Sequence, residues 1–484
     1  MTLEEFDGWY RARYHRTSSA LTVAVMVLAD FIGVMLSIGA GFFIVKILYI
    51  LNISWNINFK SFVTYWPYLP IFVLLFWIMK LYPGIALAPA EETRGFTIAS
   101  FLAHGAVMVT RYIQYNQVDS VFAALMISFL LSTFILMICR DIMHALLGGI
   151  NMKGIPTVVY GAGTTGRLMV DRMLNAKKIG YEPALILDND PRCGDSYRSI
   201  PIIHDTNLGP EIVKRHNIKM AIVAMPHLDQ AEMTRMTNYS VSAFRYNVLI
   251  PDFFNINNIW MSVRDFDGIL GLATSHKLKM YWNLAMKRLL DIAFVTVGGL
   301  IILPILLLIA LIVKLSSPGP VLYGHKRLGL NGKHFRAYKF RSMIMDADKK
   351  LEAILEADPR LREEWEASHK LKDDPRITAI GKLLRKFSLD EFPQLINILK
   401  GEMSFVGPRP VTDPEIEKYG ENALRILTVK PGLTGLWQVS GRSDTDYAER
   451  VSYDLYYLQS WSVWLDFWIL YRTPGAIIKG RGAY

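Results

Sequence analysis

Two adjacent carboxylates, Asp390 and Glu391, are the residues of this chain best suited to chemistry. Arg385 and Lys386 precede them closely, and a Gly-Pro-Arg-Pro turn that contains Arg409 follows. An ionised carboxylate can ligate Mg²⁺ or attack phosphorus as a nucleophile. We therefore interpret this region as a candidate site for phosphoryl chemistry.

Further cations flank the carboxylates along the chain. Lys339 and Arg341 lie in a Lys-Phe-Arg-Ser segment, and Arg409 lies in the Gly-Pro-Arg-Pro turn. Arginine binds phosphate oxygens through paired hydrogen bonds, whereas lysine acts as a point charge. Isolated basic residues are usually only surface charges, so phosphate binding and surface placement are both open for these three.

The local structure around the carboxylates has two interpretations. Ser388 and Glu391 have the spacing of a capping box, which would make this segment a simple helix start. Neighbouring side chains on a helix point about 100° apart, so Asp390 and Glu391 face one atom only where a helix begins or is distorted. Pro393 favours a helix start, and the N-terminus of a helix would hold a carboxylate in its ionised form.

The composition indicates a membrane protein with an excess of basic residues. Of the 484 residues, 52% are hydrophobic, and the mean hydropathy of +0.24 points to embedded segments. The net charge of +10 fits Lys and Arg on the cytoplasmic side of a membrane. No nucleic-acid recognition motif accompanies the charge, so we expect no nucleic-acid partner. The two cysteines exclude a disulfide scaffold and a cysteine-based zinc site.

Four apolar runs predict a four-helix transmembrane domain over 1–150. They cover 18–45, 62–79, 96–110 and 121–139, and the third is short and weak for a membrane span. Arginines before the first run and Arg140 after the last predict that both ends face the cytoplasm. Asp30 interrupts the first run with no second charge beside it, and we interpret it as a helix–helix contact rather than a substrate site.

A Rossmann-like domain is predicted over 151–276. A strand-like segment leads into a Gly-x-Gly-x-x-Gly turn at 161–166 and then a helix, and Asp188 ends the next strand. This is the context of a dinucleotide-binding turn. No catalytic set for hydride transfer follows it. We therefore favour a structural or regulatory module without a cofactor, with real cofactor binding as the alternative.

The third region, 277–484, begins with an apolar segment that contains Pro304. Basic residues flank this segment at both ends: Lys287, Arg288 and Lys314. A full membrane crossing would place them on both sides, against the positive-inside bias. Proline kinks a helix, so we favour a re-entrant helix over about 288–315 that bends at Pro304. An ordinary kinked span is the alternative. A charged stretch over 347–372 predicts a solvated surface helix.

Four segments in one order resemble the bacterial polyprenyl-phosphate hexose-1-phosphate transferases. They lie at 339–343, 388–394, 403–410 and 430–442. The resemblance is strong over 287–484, and the preceding apolar runs and Rossmann-like domain resemble the long form of the family. It implies a monotopic, mostly helical catalytic domain with a re-entrant helix. The fold class is therefore expected to be membrane α plus α/β. Family members often have serine before the bending proline, where this chain has Leu303.

The resemblance also implies the chemistry. Hexose-1-phosphate would pass from a UDP-sugar to undecaprenyl phosphate, and UMP would be released. Asp390 would be the nucleophile that forms a phosphosugar–enzyme intermediate, Glu391 would be its partner, and Mg²⁺ would bind at Asp390. The expected substrate-binding residues are Lys339, Arg341, Arg409 and Arg442.

Several features of the function have alternatives. The segment 323–327 and the Gly-Ala-Tyr end resemble galactose-specific members of the family, so UDP-galactose is the expected donor and UDP-glucose the alternative. A non-catalytic scaffold for polysaccharide assembly is disfavoured by the intact Asp-Glu pair. A nucleotide-sugar dehydratase or epimerase is disfavoured because no Tyr-x-x-x-Lys helix follows the Gly-rich turn. We expect a homodimer in the bacterial inner membrane, with a cytoplasmic catalytic domain, at the first membrane step of O-antigen, capsule or exopolysaccharide synthesis.

Overall fold

The computed structural model of the protein consists of two compact units, Met1–Asn257 and Asn258–Tyr484. It describes residues 2–14, 19–51, 57–82, 88–149, 154–175, 181–250, 261–266, 269–274, 277–345, 347, 351, 355–356, 360, 362, 371, 374–440 and 447–478. Arg442 and nearly all of the charged stretch over 347–372 lie outside these residues. The division into three domains stays a prediction.

The first unit begins with helices. They are α1 (Leu3–Tyr14), α2 (Ser19–Ile50), a 3₁₀ helix (Phe59–Tyr68) that continues into α3 (Leu69–Ile78), α4 (Pro89–Tyr115) and α5 (Ser120–Gly149). Within the described residues of this unit, α2, α4 and α5 are long and apolar enough to cross a membrane.

Two predictions about these helices need correction. The third apolar run, predicted as short and weak, belongs to a helix of 27 residues, α4. Its hydropathy is low because polar side chains face the other helices: His104 lies 2.9 Å from Ser128 Oγ, and Thr97 lies 3.0 Å from Thr133. The second run is a 3₁₀ helix containing Pro67 followed by the ten-residue α3. At about 2.0 and 1.5 Å rise per residue these two still extend roughly 35 Å, comparable to a hydrocarbon core of about 30 Å.

A buried ion pair joins α2 to α5. Asp30 accepts hydrogen bonds from Arg140 Nε and Nη2 at 2.9 and 2.7 Å, and both side chains are almost fully buried. Arg140 Nη1 also lies 2.8 Å from Glu92 Oε1 on α4. Asp30 is therefore a helix–helix contact, as predicted, but the expectation that no second charge accompanies it was wrong. Its partner lies 110 positions away in the sequence.

An α/β domain follows α5. Its six strands have the order β3-β4-β2-β1-β5-β6, and all neighbours are parallel except β3 and β4. The strands are β1 (Ile155–Tyr160), β2 (Tyr181–Leu187), β3 (Ser196–Tyr197), β4 (Ile200–Ile203), β5 (Met220–Val223) and β6 (Tyr246–Leu249), and the helices are α6 (Thr164–Asn175), α7 (Gly209–His216) and α8 (Gln230–Tyr239). The central strands are buried on both faces, as expected of a parallel sheet covered by helices.

Helix α1 packs on one face of this sheet. Phe6 and Tyr14 are buried in the same hydrophobic cluster as residues of β1 and β2. Asp7 lies 2.7 Å from His216 Nε2 and 2.9 Å from Arg215 Nη1, at the end of α7. The segment before α2 and the domain after α5 are therefore in contact, so both ends of the apolar helices are attached to one domain.

The second unit is mostly helical, with three short two-stranded sheets. Its elements are β7 (Met261–Phe266), β8 (Ile269–Thr274), α9 (Tyr281–Ser316), β9 (Leu322–Leu328), β10 (His334–Phe340), α10 (Ala379–Lys386), a 3₁₀ helix (Leu389–Gln394), α11 (Leu395–Lys400), β11 (Ser404–Val406), α12 (Asp413–Glu417), α13 (Ala423–Ile426), β12 (Gly432–Thr434), α14 (Leu436–Ser440), α15 (Tyr447–Ser460) and α16 (Val463–Ile478).

Helix α9 is the main apolar element of this unit. It has 36 residues, is helical through Pro304, and is long and apolar enough to cross a membrane. Val295 and Val313 lie on its buried side, in hydrophobic clusters with residues of β10, α10 and α11. Leu300 and Ile301 on the other side are exposed. The helix thus has one packed face and one outward apolar face.

Candidate active site

A cleft in the second unit gathers most of the predicted site residues. It encloses about 300 Å³, its open mouth included. It is lined by Arg327, Ala337, Lys339, Glu391, Gln394, Arg409, Pro410, Gly432, Leu433 and Gln438. Asp390 adjoins this lining, with its Oδ2 3.9 Å from Lys339 Nζ. The structure therefore brings both carboxylates, Lys339 and Arg409 into one place.

The carboxylates lie in the 3₁₀ helix Leu389–Gln394, which begins after a left-handed residue. Ser388 has φ +53°, and its side chain makes no capping hydrogen bond. The capping box, one of the two interpretations of this segment, is absent, because a capping serine needs extended backbone angles. Successive residues of a 3₁₀ helix are about 120° apart, so the carboxylates of Asp390 and Glu391 point in different directions.

Lys339 on β10 contacts the two carboxylates unequally. Its Nζ lies 2.6 Å from Glu391 Oε1 but 3.9 Å from Asp390 Oδ2. Arg409 Nη2 lies 3.7 Å from the same oxygen of Glu391. Among the described residues, no side chain donates a hydrogen bond to Asp390, because Lys339 is too far away for one. Glu391 therefore holds two cations in the cleft, whereas the oxygens of Asp390 are available.

The two carboxyl groups also differ in acidity. Burial raises the pKa of Asp390, and the charge of Lys339 offsets this only in part. Burial acts on Glu391 as well, but Lys339 and Arg409 outweigh it and hold the pKa of Glu391 at about 2. A helix start was expected to favour the ionised form of Asp390. The pKa shift has the opposite sign because the helix is short and the side chain is buried.

The Gly-Pro-Arg-Pro turn is positioned by the close approach of two backbone segments. Gly432 N donates a hydrogen bond to Pro408 O at 2.8 Å. A Cβ on Gly432 would lie 2.1 Å from Gly407 N, and a Cβ on Gly407 would lie 2.9 Å from Gly432 N. Only glycine fits at this approach. The packing directs Arg409 to the cleft, where its guanidinium lies 6.0 Å from the centre of the Trp437 ring.

Of the predicted substrate-binding residues that the structure describes, Arg341 is not part of this arrangement. Arg341 is buried and donates hydrogen bonds to main-chain oxygens at the end of α9. These oxygens belong to Val313, Ser317 and Pro318. The structure therefore places Arg341 at the C-terminal carbonyl groups of α9, a position that favours a cation. Arg442 lies outside the described residues.

Several residues of the cleft lining were not predicted as site residues, and Arg327 and Gln394 are two of them. Arg327 on β9 donates to Glu415 Oε2 at 2.6 Å. Its place depends on the hairpin register that sets it opposite Phe335, which no local motif reveals. Gln394 is buried and follows Glu391 by three residues in the 3₁₀ helix. Residues three apart in a 3₁₀ helix lie on one side, so the spacing of Gln394 was a usable signal.

The oxygen donors at Asp390 fit a magnesium ion that is shared with the substrate. Within the described part of the chain, no group of three or more His, Cys, Asp or Glu could hold a metal. Mg²⁺ is commonly bound by one or two carboxylates together with phosphate oxygens and water. Asp390 is the carboxylate with available oxygens, because Glu391 already contacts two cations. Magnesium binding at Asp390 stays a prediction.

The Gly-rich turn of the first unit makes several hydrogen bonds within its own domain. Gly161 has φ +105°, which favours glycine. Asp188 Oδ2 accepts from Ala162 N at 2.6 Å, and Arg167 Nε donates to Ala162 O at 2.9 Å. In dinucleotide-binding folds an acidic residue near this position binds the ribose. Here the carboxylate of Asp188 is engaged with the turn itself.

Known proteins similar to this chain identify it as a sugar transferase. Residues 282–480 match the family model of a bacterial sugar transferase, and residues 85–243 match that of a CoA-binding domain. The undecaprenyl-phosphate galactose phosphotransferase of Salmonella typhimurium is 35% identical over 71% of this chain and 72% of its own length. The UDP-glucose:undecaprenyl-phosphate glucose-1-phosphate transferase of Escherichia coli is 32% identical over 72% and 74%, respectively. The exopolysaccharide production protein ExoY of Rhizobium meliloti is 48% identical over 41% of this chain and 88% of its own length. This chain therefore belongs to the bacterial sugar transferase family, as its motifs predicted.

Proposed function

We propose that this enzyme transfers hexose-1-phosphate from a UDP-sugar to undecaprenyl phosphate and releases UMP. Two relatives carry undecaprenyl phosphate and a hexose in their names. The observation that carries the proposal is the unequal partnering of the two carboxylates. Glu391 holds Lys339 at 2.6 Å, whereas Asp390 has the raised pKa and the available oxygens. A more basic carboxylate with fewer close partners is the better nucleophile.

The reaction proceeds in two displacements at one phosphorus atom. An oxygen of Asp390 attacks the phosphorus that carries the sugar, the bond from this phosphorus to the bridging oxygen breaks, and UMP leaves with the electron pair. An oxygen of undecaprenyl phosphate then attacks the same phosphorus, and Asp390 leaves as a carboxylate. No oxidant or reductant takes part. Lys339 and Arg409 face the cleft where they stabilise the charge on the phosphate oxygens.

Glu391 acts in this scheme through the cations that it holds. Its low pKa keeps it ionised near neutral pH, so Lys339 and Arg409 stay in the cleft between turnovers. Asp390 and the diphosphate would hold Mg²⁺, which would neutralise charge on the leaving group. Loss of UMP release in Glu391→Gln, with an unchanged melting temperature, is the result that we expect.

We also propose that α9 is re-entrant. Both of its ends are bound by the second unit. Near its start, Lys287 Nζ lies 2.7 Å from Asp466 Oδ2, and Arg288 Nη2 donates to Leu399 O at 2.7 Å. At its end, Arg341 binds the main-chain oxygens. A helix held at both ends by one folded unit supports a return to the same membrane face.

This orientation can be tested by cysteine labelling. Trp282→Cys and Lys326→Cys introduce thiols at exposed sites before and after the apolar segment, in a chain from which Cys139 and Cys193 are removed. An impermeant thiol reagent should label both sites from the cytoplasmic face only. Labelling of the two sites from opposite faces would show a membrane span.

The first unit supports an even number of crossings before the sheet. Helix α1 contacts the α/β domain, so both lie on one side of the membrane. Helices α2, α4 and α5 provide three crossings, and the 3₁₀ helix with α3 provides the fourth. We propose that these ends face the cytoplasm of a bacterial inner membrane, as the basic flanks predict. The homodimer stays a prediction.

The proposed donor is UDP-galactose, with UDP-glucose as the alternative. The galactose and glucose relatives have similar identities to this chain, 35% and 32%, so the preference rests on the motifs that resemble galactose-specific members. The product would begin a polysaccharide on its lipid carrier. UMP release from a panel of UDP-sugars, with undecaprenyl phosphate in lipid nanodiscs, tests the reaction. Absence of UMP with every donor would contradict it.

A further inference from the structure

The cleft also contains an uncharged polar side chain, that of Gln394, which takes no part in the ion pairs of the site. Gln394 is only 3% exposed, yet its side chain lines the cleft. It lies on the same side of the 3₁₀ helix as Glu391, one turn or about 6 Å further along the axis. Among the described residues, no group forms a hydrogen bond with its carboxamide.

A neighbouring amide shows the contrast. Asn397 is fully buried, and its Oδ1 accepts from Tyr338 N at 3.0 Å. Its Nδ2 donates to Arg336 O at 2.8 Å and to Glu402 Oε2 at 2.6 Å. Asn397 therefore uses its donors and its acceptor inside the protein and fixes β10 against α11. Gln394 has the same functional group and similar burial, but its hydrogen-bonding capacity is directed to the cleft. Because Gln394 lines the open cleft, a ligand there can supply the hydrogen bonds that no described protein group supplies.

We propose that Gln394 binds a hydroxyl group of the donor sugar and contributes to the choice of sugar. This inference rests on the proposed function. In the proposed reaction the phosphate oxygens have cationic partners in Lys339 and Arg409. A carboxamide offers a donor and an acceptor together, which complements a hydroxyl group.

The position of Gln394 favours the sugar over the nucleobase. It lies on the same short helix as Asp390, which attacks the sugar-bearing phosphorus. The sugar is attached directly to that phosphorus, whereas uridine is separated from it by the second phosphate. A site that hydrogen-bonds a hydroxyl group strongly rejects a substrate that lacks it, because the buried polar group is then unpaired.

The test combines protein variants with donors that lack single hydroxyl groups. Gln394→Leu and Gln394→Met remove the amide at similar volume. The value of kcat/KM for UMP release is measured with UDP-galactose, UDP-glucose and the 2-, 3-, 4- and 6-deoxy forms of UDP-galactose. For the unaltered enzyme, kcat/KM should fall about 10- to 100-fold when the hydroxyl group at one position of the sugar is missing. With UDP-galactose, kcat/KM of Gln394→Leu should be lower than that of the unaltered enzyme by a similar factor. When Gln394→Leu is given the one deoxy donor instead of UDP-galactose, its kcat/KM should fall little further.

Leu433→Met is the matched control, because it changes an apolar residue of the same lining and should keep the discrimination between donors. If Gln394→Leu lowers kcat/KM by the same factor for every donor, so that the ratios between donors stay as in the unaltered enzyme, or if it leaves kcat/KM unchanged, the inference is overturned. Melting temperatures of the variants identify any general loss of folding. Absence of UMP release by the unaltered enzyme with every donor would contradict the proposed function instead.

Discussion

Removal of the cation that contacts both carboxylates gives the sharpest prediction. Lys339→Met keeps most of the side-chain length and removes the charge that lies 2.6 Å from Glu391 and 3.9 Å from Asp390. The pKa of Glu391 should then rise from about 2 toward its ordinary value of 4.5. The pKa of Asp390, already raised by burial, should rise further, because Lys339 is the main group that lowers it.

The size of the effect follows from the geometry. Two unit charges 4 Å apart interact by about 4 kcal/mol at an effective dielectric constant of about 20. Glu391 keeps Arg409 at 3.7 Å, and its side chain is 20% exposed, so solvent and the second cation compensate part of the loss. We expect a net loss of about 2 kcal/mol, which corresponds to a fall of roughly 30-fold in kcat/KM.

The assay is the pH dependence of kcat/KM for UMP release. Catalysis needs both carboxylates ionised, so the acid limb of the Lys339→Met profile should lie at higher pH than that of the unaltered enzyme. Lys333→Met, which removes an exposed lysine from the same hairpin, is the control and should leave the profile in place. An acid limb that does not move, or that moves to lower pH, would refute the reasoning.

Three further predictions follow from other residues. Asp454 is fully buried, and burial raises its pKa to about 7 from an ordinary value of 3.8. A raised pKa in the folded state stabilises the protein at low pH, and this contribution is lost as the pH rises toward about 7. Tm of the unaltered protein should therefore fall as the pH rises toward about 7, and Tm of Asp454→Asn should fall less over the same pH range. Equal falls in Tm for the two proteins would contradict this prediction. Arg341→Met should lower Tm and leave the KM for the UDP-sugar unchanged, because Arg341 binds main-chain oxygens at the end of α9. A raised KM with an unchanged Tm would show instead that Arg341 binds the substrate. Excess chelator should stop UMP release and Mg²⁺ should restore it, whereas full activity in chelator would exclude the metal.

Site residues could be predicted from the sequence where a short motif alone determines their local positions. Asp390 and Glu391 are neighbours, and Arg409 lies in a turn whose glycines must pack against a second glycine motif. Arg341 shows the limit of the same reasoning. It is two residues after Lys339, a spacing that would put both on one face of a strand, but β10 ends at Phe340 and the chain turns away.

Local sequence patterns could not predict contacts between residues that are far apart in the chain. Asp30 was recognised as a contact residue, but its partner Arg140 resembled a flanking charge because it ends an apolar run. The length of α4 was underestimated because Arg94 and Arg111 bound the apolar run over 96–110, whereas the helix continues past both of them. Two charged residues outside the run have partners in the fold: Glu92 contacts Arg140, and Arg111 contacts Asp119. In each case the deciding information is which side chain a residue meets in three dimensions.

The covalent intermediate on Asp390 is the central claim, and peptide mass spectrometry of the digested enzyme tests it directly. The enzyme is incubated with UDP-galactose or UDP-glucose without lipid acceptor, quenched, and digested. We predict a mass increase of one hexose phosphate on the peptide that contains Asp390, with UMP released in no more than equal amount. Undecaprenyl phosphate should discharge the adduct, and Asp390→Asn should not form it. UMP release that requires both substrates at once, with no adduct on the unaltered enzyme, would contradict the account.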